Sequence, residues 1–162
     1  MDTSNITRYE LEATHFLNGE TLANFLDFGD FLSQNKISKT ATSKPLTADA
    51  KNTRWATRYK KKSVCHFRAW RNHWFVSFFK TIDVNALEAH FTDEMKAFIL
   101  AHIETKAGCK NCGGHKDRIV LGKHFPVVCG CNLLLVVNPA GERLTRVKDL
   151  VSIIKKVMDA QN

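Results

Sequence analysis

Apolar residues first fall into a helical period between residues 18 and 35. Leu22, Phe25, Leu26, Gly29 and Leu32 share one face, and Phe28 and Phe31 widen it. Asn18 or Thr21 suits the start of this helix and Asn35 its end. The preceding residues 1–17 are polar, have no capping signal, and read as a flexible lead-in. Residues 38–52 are rich in Ser, Thr and Lys, include Pro45 and carry no period. They read as a flexible loop, long for a compact domain and suited to closing over something.

A period of two follows. Trp55, Thr57 and Tyr59 alternate with Ala56 and Arg58. Cys65, Phe67 and Ala69 alternate with His66, Arg68 and Trp70. Trp74, Val76 and Phe78 alternate with Phe75, Ser77 and Phe79. Residues 60–63 and 71–73 break the runs, and Asn72 favours a turn, which predicts an antiparallel meander of three strands. Helical spacing returns with a turn or two over 84–90. A new start at Thr92-Asp93-Glu94 then puts Met95, Phe98, Ile99 and Ile103 on one face, with Gly108 suited to the end. Short strands are expected at 118–121 and 125–128, and a buried strand at 133–137, broken by Asn138-Pro139. A last helix carries Leu144, Val147, Val151, Ile154 and Met158 at steps of three and four.

Strands grouped together and helices set apart give an α+β class. The expected architecture is an antiparallel sheet, made of the meander plus a C-terminal strand, packed by helices, with a metal loop built on four cysteines. One domain over 18–162 includes the metal-binding segment 109–131.

The chain has 162 residues, enough for a core that needs no disulfides. No apolar run approaches the roughly 20 residues that span a bilayer, and the first residues lack the pattern of a secretory signal. Its five cysteines are an odd count for a disulfide framework. A reducing compartment, with the cytoplasm as default, is the expectation. The formal charge is +8 and unevenly placed: residues 51–80 hold nine basic side chains and no acidic one. That segment can attract nucleic acid or another polyanion, although a solvated lysine-rich face is the plainer reading.

Cys109-Lys-Asn-Cys112-Gly-Gly and Cys129-Gly-Cys131 are two paired-cysteine turns. Such turns let two thiolates reach one ion, and glycine permits the positive φ they need. The intervening residues are enough for a short hairpin that would make the two turns face each other. Cys109, Cys112, Cys129 and Cys131 are therefore the expected ligands of one zinc ion. His115 and His124 are near enough in sequence to replace one cysteine. No familiar iron–sulfur spacing is present. Thiol redox chemistry is disfavoured because the C-x-x-C follows a helix instead of opening one. Four unrelated buried thiols are the remaining alternative, and Cys65, in mid-strand, belongs to the core.

From Trp55 onward the motifs resemble a group of small uncharacterised bacterial proteins. The resemblance rests on Trp55-Ala-Thr-Arg58-Tyr59-Lys60 leading into Ser63-Val64-Cys65, and on Trp74-Phe75-Val76. It continues through the acidic helix start at Thr92, the cysteine pairs around Gly122-Lys123-His124-Phe125, and Asn138-Pro139. It covers about two-thirds of the chain. It implies a compact α+β fold and no particular activity.

The expected function is a non-catalytic module that binds a ligand or partner, held together by structural zinc. Trp55, Tyr59, Trp70 and Trp74 are candidates for an aromatic-lined site, against plain core packing. The alternative is nucleic-acid binding by the basic 51–80 meander. There Arg58, Lys60, Lys61, Lys62, Arg68 and Arg71 would meet phosphates, and Trp70 or Trp74 would stack on a base. A thiol or metal-dependent enzyme is the third reading. It lacks H-E-x-x-H, a phosphate loop or G-x-S-x-G, and His66 and His73 have no carboxylate within their segment.

Overall fold

Residues 8–42, 52–79, 82–105 and 115–161 are described by the computed structural model. In chain order the elements are α1 (Arg8–Phe16), α2 (Gly19–Gln34), β1 (Ser38–Ala41), β2 (Thr53–Tyr59), β3 (Lys62–Trp70) and β4 (His73–Phe79). Then come α3 (Asp93–Ala101), β5 (His115–Val120), β6 (Lys123–Cys129), β7 (Asn132–Val137) and α4 (Gly141–Ala160). One antiparallel sheet runs β1-β2-β3-β4-β7, and β5 with β6 forms a separate hairpin. The class is α+β, as the segregation of strands and helices predicts.

The meander forms because apolar side chains recur at every second position and the breaks between runs supply two-residue turns. Lys60 and Lys61, and likewise Arg71 and Asn72, all have positive φ. Two successive left-handed residues make the turn whose twist matches that of paired strands. In the β5–β6 hairpin, Leu121 and Gly122 (φ 75°) do the same, and glycine adopts that geometry without a Cβ clash. The β2–β3 register shifts between Ala56 and Arg58. Thr57 patches the irregularity: its hydroxyl accepts from the Cys65 N–H at 2.9 Å and donates to the Cys65 carbonyl at 2.8 Å.

One sheet face is the core. Trp55, Phe67, Trp74, Val76 and Phe78 on the strands are buried under Phe25, Phe28 and Leu32 of α2 and Val147 and Val151 of α4. Phe25 meets Trp55 and Phe67 at ring separations of 5.3 Å and Trp74 at 5.5 Å. A salt bridge of 2.6 Å from Lys148 to Asp27 ties α4 to α2. Thr92 caps α3 by accepting the Met95 N–H, as the Thr-Asp-Glu start predicts.

Three sequence expectations are corrected. Residues 8–16, expected within a flexible lead-in, form α1, and Ala13 and Leu17 belong to the core. The apolar stripe was hidden because one buried position is polar. Glu12, 2% exposed, bonds Arg8 Nε at 2.6 Å and accepts from the Thr53 hydroxyl at 2.7 Å. Tyr9 completes the contact, stacking on Phe25 at 5.2 Å and donating to the Phe25 carbonyl. The expected loop at 38–52 begins as a strand, since Ser38–Ala41 pairs with β2; residues 43–51 lie outside the described residues. Finally, α3 ends at Ala101, well before Gly108 (itself outside the described residues), because the chain turns extended and joins the sheet edge. There the Leu135 N–H donates to His102 and the Glu104 N–H to Leu133.

No helix among the described residues is long and apolar enough to cross a membrane.

Candidate functional site

The second face of the sheet gathers the arginines of β2 and β3. Strand alternation puts Arg54 and Arg58 of β2, His66, Arg68 and Trp70 of β3, and His73 and Phe75 of β4 on the side away from the core. Arg54 lies directly opposite Arg68, and Arg68 directly opposite Phe75. The Arg68 guanidinium sits 4.7 Å from the Phe75 ring centre, and that of Arg71, at the β3–β4 turn, 5.3 Å from Trp70. Burial and the charge of Arg54 both lower the pKa of Arg68. Burial, then Arg54, pushes His66 down to about 4, so it is neutral near pH 7. No strand residue of β2, β3 or β4 is acidic, so no carboxylate of these strands offsets the arginines.

The sequence-predicted residues divide between two sides of the molecule. Arg58, Arg68 and Trp70 share the open face, with Arg71 at its rim. Trp74 does not: it is 0% exposed in the core, so it has no surface on which a base could stack. Trp55 is buried with it. Lys60, Lys61 and Lys62 stand at the β2–β3 turn, where two of them reach toward the end of α4. Lys60 pairs with Asp159 at 2.8 Å, and the Lys62 ammonium lies 3.4 Å from the Gln161 side-chain oxygen. Tyr59 donates to the same Asp159 at 2.7 Å. Lys60 first and Tyr59 second hold that carboxyl down to about 2. Arg54 and Phe75 were missed by sequence reasoning. Both share the parity of Arg58 and Arg68 when the strands are registered, which is the signal that exposes them.

An aromatic-lined pocket does not form from Trp55, Tyr59, Trp70 and Trp74. A cavity of about 500 Å3 lies instead between residues 82–87 and α4, lined by Ile82, Leu87, Ile154, Val157 and Met158. Lys62, Ser63, Asp83 and Gln161 add a polar rim to these aliphatic walls.

Cys129 and Cys131 stand where the β5–β6 hairpin leads into β7; Cys129 is buried and Cys131 exposed. Cys109 and Cys112 lie outside the described residues. Among the described residues no three His, Cys, Asp or Glu side chains gather as a metal site. The hairpin expected between the cysteine pairs is present, and its register sets His115 opposite Cys129. The Cys129 N–H also donates to the Glu104 carbonyl at 2.8 Å. His124 stands next to the hairpin turn, about 17 Å along the strand from Cys129. Its Nε2 is 2.8 and 2.9 Å from the two carboxylate oxygens of Asp117. It is thus removed from the cysteine end. Cys65 is fully buried with its thiol pushed up to about 12 by desolvation, which makes it a core residue without nucleophilic character.

The chain has no significant match among protein-family models, curated proteins or solved structures.

Proposed function

We propose that this chain is a non-catalytic binding module that takes nucleic acid on its open sheet face, with a structural zinc ion pinning the cysteine hairpin. The observation that carries the first part is Arg54 set directly across from Arg68. Like charges opposite one another destabilise a sheet. A pair of arginines opposite one another on the face away from the core presents two guanidinium groups side by side to an anionic ligand. Arg58 extends the same charge about 13 Å along β2, and a phosphate backbone matches such a row. The test is binding of labelled oligonucleotides at low ionic strength. A dissociation constant that rises steeply with salt supports the reading, and no salt-sensitive binding to DNA or RNA defeats it.

The zinc proposal is supported by two anchors on one residue. In the chain, Cys109 and Cys112 fall between Glu104, whose carbonyl accepts from the Cys129 N–H, and His115, which is paired with Cys129 in the hairpin. The two cysteine pairs thus flank the hairpin in the chain, the order that a shared zinc ion would use. Four thiolates would close the coordination shell and leave no site for a zinc-bound water, in keeping with a non-catalytic role. Thiolate ligation needs reduced cysteines, which fits a cytoplasmic location. X-ray fluorescence on purified protein should find one zinc per chain, and an X-ray structure four sulfurs at about 2.3 Å. A metal-free protein with intact folding, or a water on the metal, would overturn this part.

A further inference from the structure

We infer that the open face takes single-stranded rather than duplex nucleic acid, stacking one base on Trp70 and its neighbour on the Arg68–Phe75 pair. This rests on the nucleic-acid reading above and specifies its ligand. Trp70 is 36% exposed, the one aromatic residue among the exposed large hydrophobic side chains of the described residues. Ordinary folding hides an indole; Trp55 and Trp74 are hidden here. Because Arg68 is opposite Phe75 on the next strand, Trp70 and Phe75 are diagonal neighbours, about 7 to 8 Å apart. Two splayed bases of one strand can occupy such a pair of rings at once.

Each ring has a guanidinium beside it, Arg71 for Trp70 and Arg68 for Phe75. A guanidinium in that position stacks on a base and also faces the phosphate that follows it. Val137, 39% exposed and opposite Phe75 on β7, continues the apolar footing on that side. A duplex offers none of this surface its base faces, which are stacked inside. Reading the major groove of a duplex calls for a protruding helix or two-stranded ribbon, and the face of a five-stranded sheet is neither. An exposed indole beside a half-buried, arginine-stacked ring on a basic sheet is matched to unpaired bases.

The test compares a labelled 12-nucleotide single strand, as oligo-dT and oligo-U, with a duplex of the same length. Fluorescence anisotropy gives affinity, and tryptophan emission gives stacking, since only Trp70 is accessible to a base. The single strands should bind at least ~10-fold tighter than the duplex and quench the emission. Trp70→Ala should weaken single-strand binding by roughly 5- to 100-fold, and Trp70→Phe should restore most of it. Phe75→Leu offers a second variant, with thermal melting confirming that each one folds. Equal binding of duplex and single strand without quenching overturns this inference and leaves the nucleic-acid reading standing. Polyphosphate bound as tightly as the oligonucleotides overturns base stacking in the same way. No binding of any of them removes both.

Discussion

Replacing Arg54, Arg58 and Arg68 together by glutamine separates the open face from every other basic region of the chain. On a single strand each neutralised phosphate contributes about 0.7 to the slope of log affinity against log salt. Three contacts therefore account for a slope of about 2. Between 50 and 200 mM salt the native chain should lose roughly 20-fold more affinity than the variant. The matched control is Lys60, Lys61 and Lys62 replaced by glutamine. That lysine run is denser in sequence, yet Lys60 is committed to Asp159 and Lys62 reaches Gln161 at the end of α4. The control should change the slope by less than about 1. Stability needs its own control. Arg54 and Arg68 oppose each other, and burial together with Arg54 already lowers the pKa of Arg68. Thermal melting of both variants is therefore measured beside the titrations, and the slopes are compared where each is folded. Anisotropy titrations over a salt series read the slopes. An unchanged slope in the arginine variant, or an equal fall in the lysine control, refutes the assignment to this face.

Other perturbations probe the remaining features. Cys112→Ser, or chelation verified by X-ray fluorescence, should lower the melting temperature. Structural zinc contributes on the order of 10 kcal/mol in small peptides, and less where an independent core exists, as here; unchanged melting after complete metal removal rules out the folding role. His66 is held down to about 4, below the 6.5 of an exposed imidazole, so between those values the unfolded chain binds the proton and the folded chain does not. Its contribution to stability is complete above about 6.5 and is lost as the pH falls toward 4. Melting measured across that window should fall less steeply in His66→Gln, and parallel profiles would contradict the assignment. Gly29→Ala should cost about 1 to 3 kcal/mol, because a Cβ there meets the ring and hydroxyl of Tyr9, wedged between α1 and α2. Denaturant unfolding measures it, and an unchanged midpoint would mean that Tyr9 moves aside freely.

The meander, α3 and α4 were legible because, Thr53 and Thr57 of β2 apart, their core-facing positions are apolar, so the periods of two and of 3.6 stand out. Where a packed position is polar, the signal fails. Glu12 broke the stripe of α1, and β1, a short edge strand of Ser-Lys-Thr-Ala, has no apolar alternation to display. The open face was half legible. The cluster at Lys60–Lys62 stands out by density, whereas strand parity decides which side chains share the open face. Trp70 alternates in step with His66 and Arg68, and Trp74 in step with Val76 and Phe78, which is why one indole is exposed and the other buried. The cysteine pairs were legible as spacing, and the hairpin between them follows from the Leu-Gly turn.

The sheet is assembled from pieces of very different sequence separation, and this orders its formation. The strands β2, β3 and β4 are joined by two-residue turns, so their pairing closes short loops that form in microseconds. β7, by contrast, pairs with β4 after the chain has gone from Phe79 to Asn132 through α3 and the cysteine hairpin. Closing that long loop is entropically unfavourable until the meander already offers an edge to pair with. The strand that completes the sheet, and the helix α4 that covers it, therefore dock onto a nucleus made by β2–β4 and the aromatic cluster under α2. In kinetic terms, destabilising changes such as Phe67→Leu should slow folding, while Val136→Ala should chiefly speed unfolding. Stopped-flow chevrons distinguish the two, and a folding limb equally slowed by both would place β7 in the nucleus. The late-docking edge is the one to which the hairpin is bonded through Glu104, so metal binding would act on the last step of assembly.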